Sequence, residues 1–214
     1  MCIICVSPKG VPQPSTEQIK AMFARNPHGA GYMVARDDKV EIHKGFMNLH
    51  ELTRQLTAEH FTQDDAVVYH FRISTQAGVT PEMTHPFPLT DKLKTCTKLD
   101  VACPCGVAHN GIIRLTSNPR EKAYSDTAHF ITRYMTRLIR KPDDLRDPTI
   151  LDMIYLLTYS RFAILDASGY VATVGDFIHR DGLLFSNGTF TPEPICSYTL
   201  SRNYSRKRKG ALQL

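Results

Sequence analysis

No run of apolar residues in this 214-residue chain approaches the ~18–20 that a membrane span requires. Nor does the chain open with the basic segment and apolar run of a signal peptide, because Lys9, Pro12 and Pro14 interrupt the start. These two absences point to a cytoplasmic protein, in which six cysteines default to reduced thiols. Cys96, Cys103 and Cys105 cluster in sequence, but the last two are spaced Cys-Pro-Cys and no matching second pair follows, as a zinc knuckle would need. They are expected as loop or strand thiols, a metal site being the alternative. Internal repeats, low-complexity tracts and a convincing linker are also missing. That leaves one domain, expected over residues 2–200, and a basic tail over 201–214.

What is present is ordinary for a globular protein: 42% hydrophobic and 22% charged residues. The formal charge of +5 owes much to Arg202, Arg206, Lys207, Arg208 and Lys209. Such a run is usually a solvated tail, and nucleic-acid binding is not expected from it. Residues 2–7 read as a short buried strand, and Ser15 or Thr16 as the cap of a helix running to about Arg25. Asn26-Pro27-His28-Gly29 breaks that helix. Strands are expected at 31–36, 40–44 and 66–72, with a helix at 48–58 between the last two. An irregular stretch over 73–98 carries Gly78, Pro81, Pro86 and Pro88, and a loop so long inside a domain is commonly functional. Asn110-Gly111 is a strong turn signal. Ser125-Asp126-Thr127 caps a helix over 126–140, a second helix follows at about 149–158, and the chain finishes in hairpin strands. An α+β domain of mostly antiparallel sheets is the coarse expectation.

Cys2 gives the chain its candidate chemistry. Its small side chain permits removal of Met1, which would leave a thiol and a free α-amine on one carbon. An unperturbed α-amine titrates near pH 8, so it can act as a base near neutrality, while the thiolate is the nucleophile. Alone this is a weak signal, since a cysteine opening an apolar strand is usually a small core residue.

Three polar clusters strengthen it: His70-Phe71-Arg72-Ile73-Ser74-Thr75-Gln76-Ala77-Gly78, His109-Asn110-Gly111-Ile112-Ile113, and Asp126-Thr127 at a helix start. With Cys2, and with His85-Pro86 between the first two, this ordered set resembles the class II (N-terminal nucleophile, or Ntn) glutamine amidotransferase domain. Arg25 and Ala30-Gly31 match that family's first helix-to-strand turn. The resemblance covers about residues 2–130 and implies a four-layer αββα sandwich.

It also implies roles. Cys2 would attack the carboxamide of L-glutamine, with its own α-amine moving the proton. Asn110 and Gly111 would supply the oxyanion donors. Arg72 would hold the substrate α-carboxylate and Asp126 the α-ammonium, with Thr75 and Gly78 lining the pocket and Arg25 supporting the Cys2 end. His70, His85 and His109 receive no catalytic role, and no metal or organic cofactor is implied. Ile3, Ile73, Gln76 and Ala128 depart from residues frequent in the family. Relatives fuse this domain to a synthase that receives the ammonia; 214 residues leave no room for one, so a separate ammonia-accepting protein is the expected partner. Two alternatives stand beside this reading: an Ntn amidohydrolase for a different amide, and a non-catalytic binding module using the basic tail.

Overall fold

The computed structural model describes residues 1–74, 78–116 and 124–191. The chain runs β1 (Ile3–Ser7), α1 (Thr16–Arg25), β2 (Ala30–Arg36), β3 (Lys39–Phe46), α2 (Leu49–Glu59), β4 (Val67–Phe71), β5 (Phe87–Pro88) and α3 (Leu93–Cys96). It continues through β6 (Asp100–Cys103), β7 (Cys105–Asn110), α4 (Asp126–Phe130), α5 (Thr136–Leu138) and α6 (Pro148–Thr158). It ends in β8 (Arg161–Asp166), β9 (Val171–Val174), β10 (Ile178–Arg180) and β11 (Leu183–Phe185). Thr75 and the basic tail at 201–214 lie outside the described residues, so two of the sequence expectations have no structural counterpart here.

The strands form two antiparallel sheets. One has seven strands in the order β10-β11-β1-β4-β2-β3-β6, the other four in the order β5-β7-β8-β9. The α+β expectation therefore holds. Period-two alternation decides what each strand buries. On β1, Ile3 and Cys5 pack with Ile19, Met22 and Phe23 of α1 and Leu52 of α2 in one apolar cluster. Ile4 and Val6 belong to another cluster, with Met33, Val40, Ile42, Val68, Ala108, Ala163 and Leu165, which joins the two sheets. A third cluster sets Val107, Phe162, Ile164 and Val174 against Phe130, Ile131, Met135 and Ile154 from the helical stretch that follows β7. Because both faces of β1 are buried, its sequence reads as a continuous apolar run, and Cys2 is delivered at its edge.

Local chemistry sets the helix ends. Ser15 caps α1 through a capping box, its Oγ accepting from Gln18 N at 3.2 Å while Gln18 Oε1 accepts from Ser15 N at 2.8 Å. Ser125 caps α4 by accepting from Ala128 N at 3.1 Å. The helix expected over 126–140 is not uniform: Ile131–Met135 is a π-helical segment between α4 and α5. The irregular stretch after β4 also holds more order than its prolines suggested, including β5 and α3. Asn110-Gly111 is not a hairpin turn. β7 pairs instead with β8, Asn110 lying opposite Arg161 some fifty residues on, which leaves the Asn-Gly step at the end of a strand.

Among the described residues no helix is long and apolar enough to cross a membrane.

Candidate active site

Cys2 precedes β1, and three side chains bind the backbone around it. Asn187 Nδ2 donates to Cys2 O at 2.6 Å. Asn26 Nδ2 donates both to Met1 O at 3.1 Å and to Phe71 O at 3.0 Å, tying the N-terminus to the end of β4. Ser186 Oγ accepts from Ile4 N at 2.9 Å. Met1 itself projects into solvent at 67% exposure, so the bond between Met1 and Cys2 lies next to an accessible residue.

The Cys2 thiol is partly buried, with its sulfur 3.8 Å from Ile73 O. Burial pushes the thiol above its ordinary range. The positive N-terminus and the Arg72 guanidinium pull it back in part, while Asp126 pushes the other way. Arg72 and Asp126 thus lie within electrostatic reach of the sulfur.

Arg72 follows the last residue of β4 and is only 7% exposed. Its backbone is clamped by the turn after α1: Arg72 N donates to Gly29 O at 2.8 Å, and Arg72 O accepts from His28 N at 3.1 Å. Nη2 donates to Gly78 O at 3.2 Å and lies 3.4 Å from Ser74 Oγ, whereas buried Nη1 has no partner among the described residues. Burial lowers the guanidinium from its ordinary value, and Cys2 and Asp126 oppose that shift. A buried, charge-bearing nitrogen with no acceptor is costly unless an anion meets it.

Asp126 opens α4. Its carboxylate accepts from Ile113 N at 2.7 Å and from Thr127 N at 2.8 Å. It thereby fixes the backbone immediately after Asn110-Gly111. Gly111 is required by close approach: a Cβ there would run into Ser160 Oγ and come within 2.8 Å of Ser160 Cβ. Asn110 is 1% exposed, with Nδ2 standing 2.9 Å from Ser186 Oγ and Oδ1 left without a partner among the described residues.

The structure thus brings Cys2, Arg72, Gly78, Asn110, Gly111 and Asp126 to one end of the paired sheets. Arg25 is different. It is exposed at the last turn of α1, and among the described residues no hydrogen bond or ion pair joins it to Cys2; its neighbour Asn26 holds the N-terminal peptide instead. Thr75 lies outside the described residues. Sequence reasoning overlooked Asn26, Ser186 and Asn187. Two of these stand in runs that read as turn signals, Asn26-Pro27 and Asn187-Gly188, and nothing local marks them as partners of Cys2.

Behind the site lies a second polar cluster. His70, His85 and His109 are nearly or fully buried, with ring centroids 4.4 Å apart for the first pair and 6.1 Å for the second. His70 Nε2 donates to His109 O at 2.9 Å, and His109 Nδ1 is 2.8 Å from Thr127 Oγ1. Burial lowers His70 and His109 to about 3, and His85 well below its ordinary value. All three are neutral imidazoles near neutral pH. Lys44 borders them, its Nζ donating to Glu82 O at 3.1 Å and Cys96 O at 2.6 Å, and burial brings it to about 7.

Cys96, Cys103 and Cys105 are free thiols that burial pushes up to about 11, 12 and 11. Among the described residues no group of three potential ligands is placed to hold a metal ion.

No protein-family model matches this chain, and no curated protein matches it in sequence. The functional reading is carried by the geometry and by the motif resemblance.

Proposed function

We propose that this chain, once trimmed of Met1, hydrolyses the side-chain amide of L-glutamine as a class II glutamine amidotransferase domain does. The observation that carries the reading is the joint placement of a terminal-strand cysteine, a buried arginine whose Nη1 has no partner among the described residues and an aspartate, all within electrostatic reach of one another. An acyl amide without charges would have no use for that cation and anion. The three apolar clusters, one between helices and a sheet, one between the two sheets and one between the other sheet and helices, support the finer expectation of an Ntn-type four-layer sandwich.

The chemistry follows from the positions. Removal of Met1 turns the Cys2 nitrogen from an amide into a basic amine. That amine takes the thiol proton, directly or through one water, and Sγ attacks the carboxamide carbon. The carbonyl oxygen becomes an oxyanion facing the Gly111 N–H and the Asn110 carboxamide, where one lost donor costs about 2.7–4 kcal/mol. The proton returns to the leaving nitrogen, ammonia departs, and a γ-glutamyl thioester remains on Cys2. Water then attacks the thioester, glutamate leaves and the thiol is restored. Arg72 holds the α-carboxylate and Asp126 the α-ammonium throughout. The ammonia passes to a separate acceptor protein.

The test is stoichiometric release of glutamate and ammonium from glutamine by the trimmed protein. Equal release that disappears in Cys2→Ala is expected. A trimmed, folded protein that releases neither would refute the proposal.

A further inference from the structure

Ser186 presents a hydrogen-bond count that the residues around it balance in only one way. Its hydroxyl has one hydrogen and two lone pairs. One lone pair takes the Ile4 N–H at 2.9 Å, and the Ser186 backbone N–H in turn donates to Ile4 O at 2.9 Å, which fixes the residue beside β1. The remaining close neighbour of the hydroxyl is the Asn110 carboxamide, 2.9 Å away. With Nδ2 turned toward Ser186, the hydroxyl accepts twice, its own hydrogen has no acceptor among the described residues, and Asn110 Oδ1 is buried without a partner. Both groups are at most 2% exposed, so water does not make up either unmet bond and each is costly. A half-turn of the carboxamide pairs the hydroxyl hydrogen with Oδ1 and leaves a single unmet group, a donor in place of an acceptor. Ser186 then donates to Oδ1, and Nδ2 takes the vacant position as an unpaired donor.

We infer that Ser186 is the positioning residue of the oxyanion hole: by donating its hydroxyl hydrogen to Asn110 Oδ1, it selects the carboxamide orientation that offers Nδ2 to the substrate. The catalytic half of this inference rests on the reading in the preceding subsection; the orientation does not. The arrangement is compact, because the next residue, Asn187, holds Cys2 O at 2.6 Å. Two consecutive residues past β11 thus set the nucleophile's backbone and the orientation of the donor that meets its product. The site itself asks for this device. An asparagine is symmetric in shape but opposite in polarity at its two ends, and an inverted carboxamide would aim a carbonyl oxygen at a developing anion.

Two measurements decide the matter. In a neutron structure of the wild-type protein, deuterium is expected on Ser186 Oγ directed at Asn110, and on the Asn110 atom remote from Ser186. Deuterium on the Asn110 atom next to Ser186 would overturn the orientation whatever the activity. In kinetics, Ser186→Ala is expected to lower kcat for glutamine about 10- to 100-fold with KM within about twofold, and Ser186→Thr to recover most of the loss. An unchanged kcat in folded Ser186→Ala, or a loss carried by KM, would overturn the positioning role. Absence of turnover in the trimmed wild type would instead overturn the proposed function and with it the catalytic half, leaving the neutron map to decide the orientation.

Discussion

Two polar clusters sit side by side at the same end of this molecule, fed by the same strands, and their fates differ. His70 and Arg72 are two residues apart at the end of β4, and His109 directly precedes Asn110 on β7. Yet the histidines form a closed, neutral group, whereas Arg72 and Asp126 both lie within electrostatic reach of the Cys2 thiol. Burial explains the first: three imidazoles without anionic partners shed their protons. In the second, Cys2 and Asp126 oppose the shift that burial imposes on Arg72. Titratable residues gathered in space therefore do not by themselves mark a site.

The comparison is sharpest if the two clusters are broken separately. Cys2→Ala should abolish glutamine hydrolysis, by about 10⁴-fold or more, while leaving the thermal midpoint nearly unmoved. A variant that keeps its activity would erase the distinction from the catalytic side.

The histidine cluster should answer to pH rather than to substrate. Its imidazoles have folded values far below the ordinary 6.5, so between about pH 3 and 6.5 the unfolded chain binds protons that the folded chain does not. Stability then falls as pH falls below 6.5, by about 1.4 kcal/mol per histidine per pH unit, or about 4 kcal/mol for three. Urea unfolding at pH 7 and 5.5 measures this, and a midpoint that does not move between the two would contradict the assignment of the cluster as buried and neutral.

Arg72→Lys probes the charged cluster more gently. Lysine keeps the charge but loses the planar fork, and kcat/KM for glutamine should drop about 10²-fold with little change in stability. Steady-state kinetics alongside a melting curve would show whether the loss is in turnover, as expected, or in folding. The smallest effect belongs to the seam between the clusters. Gly111→Ala should cost about 1–3 kcal/mol because its Cβ meets Ser160, and Ser160→Gly in the same chain should recover part of that. Additivity of the two substitutions, measured by denaturant unfolding, would show that the close approach is not what demands glycine.

Much of this was legible in the sequence where the determinants are local. The Ser15 cap, the alternation of β3 and the short apolar run of β1 all report their structure within a few residues. Alternation even carries Lys44 inward with Val40 and Ile42, where burial and two carbonyls hold it. The long-range grips were not legible. Asn187 meets Cys2 across 185 residues and Ser186 meets Asn110 across 76, and the sequence between them sets no pattern that couples the two ends. Arg25 and Asn26 show the same limit at close range: the sequence marked the correct turn, but which of two adjacent polar residues faces inward depends on where the helix ends. The Asn110-Gly111 turn signal shows a related limit, since the strand partner of Asn110 lies far along the chain.

The most direct measurement is the intact mass of the purified protein before and after 6-diazo-5-oxo-L-norleucine, a glutamine analogue that alkylates an activated nucleophile. A mass lacking Met1, a single adduct on Cys2 and no adduct in Arg72→Ala are the predicted results. A chain that retains Met1, or a trimmed chain that takes no adduct, would contradict the account.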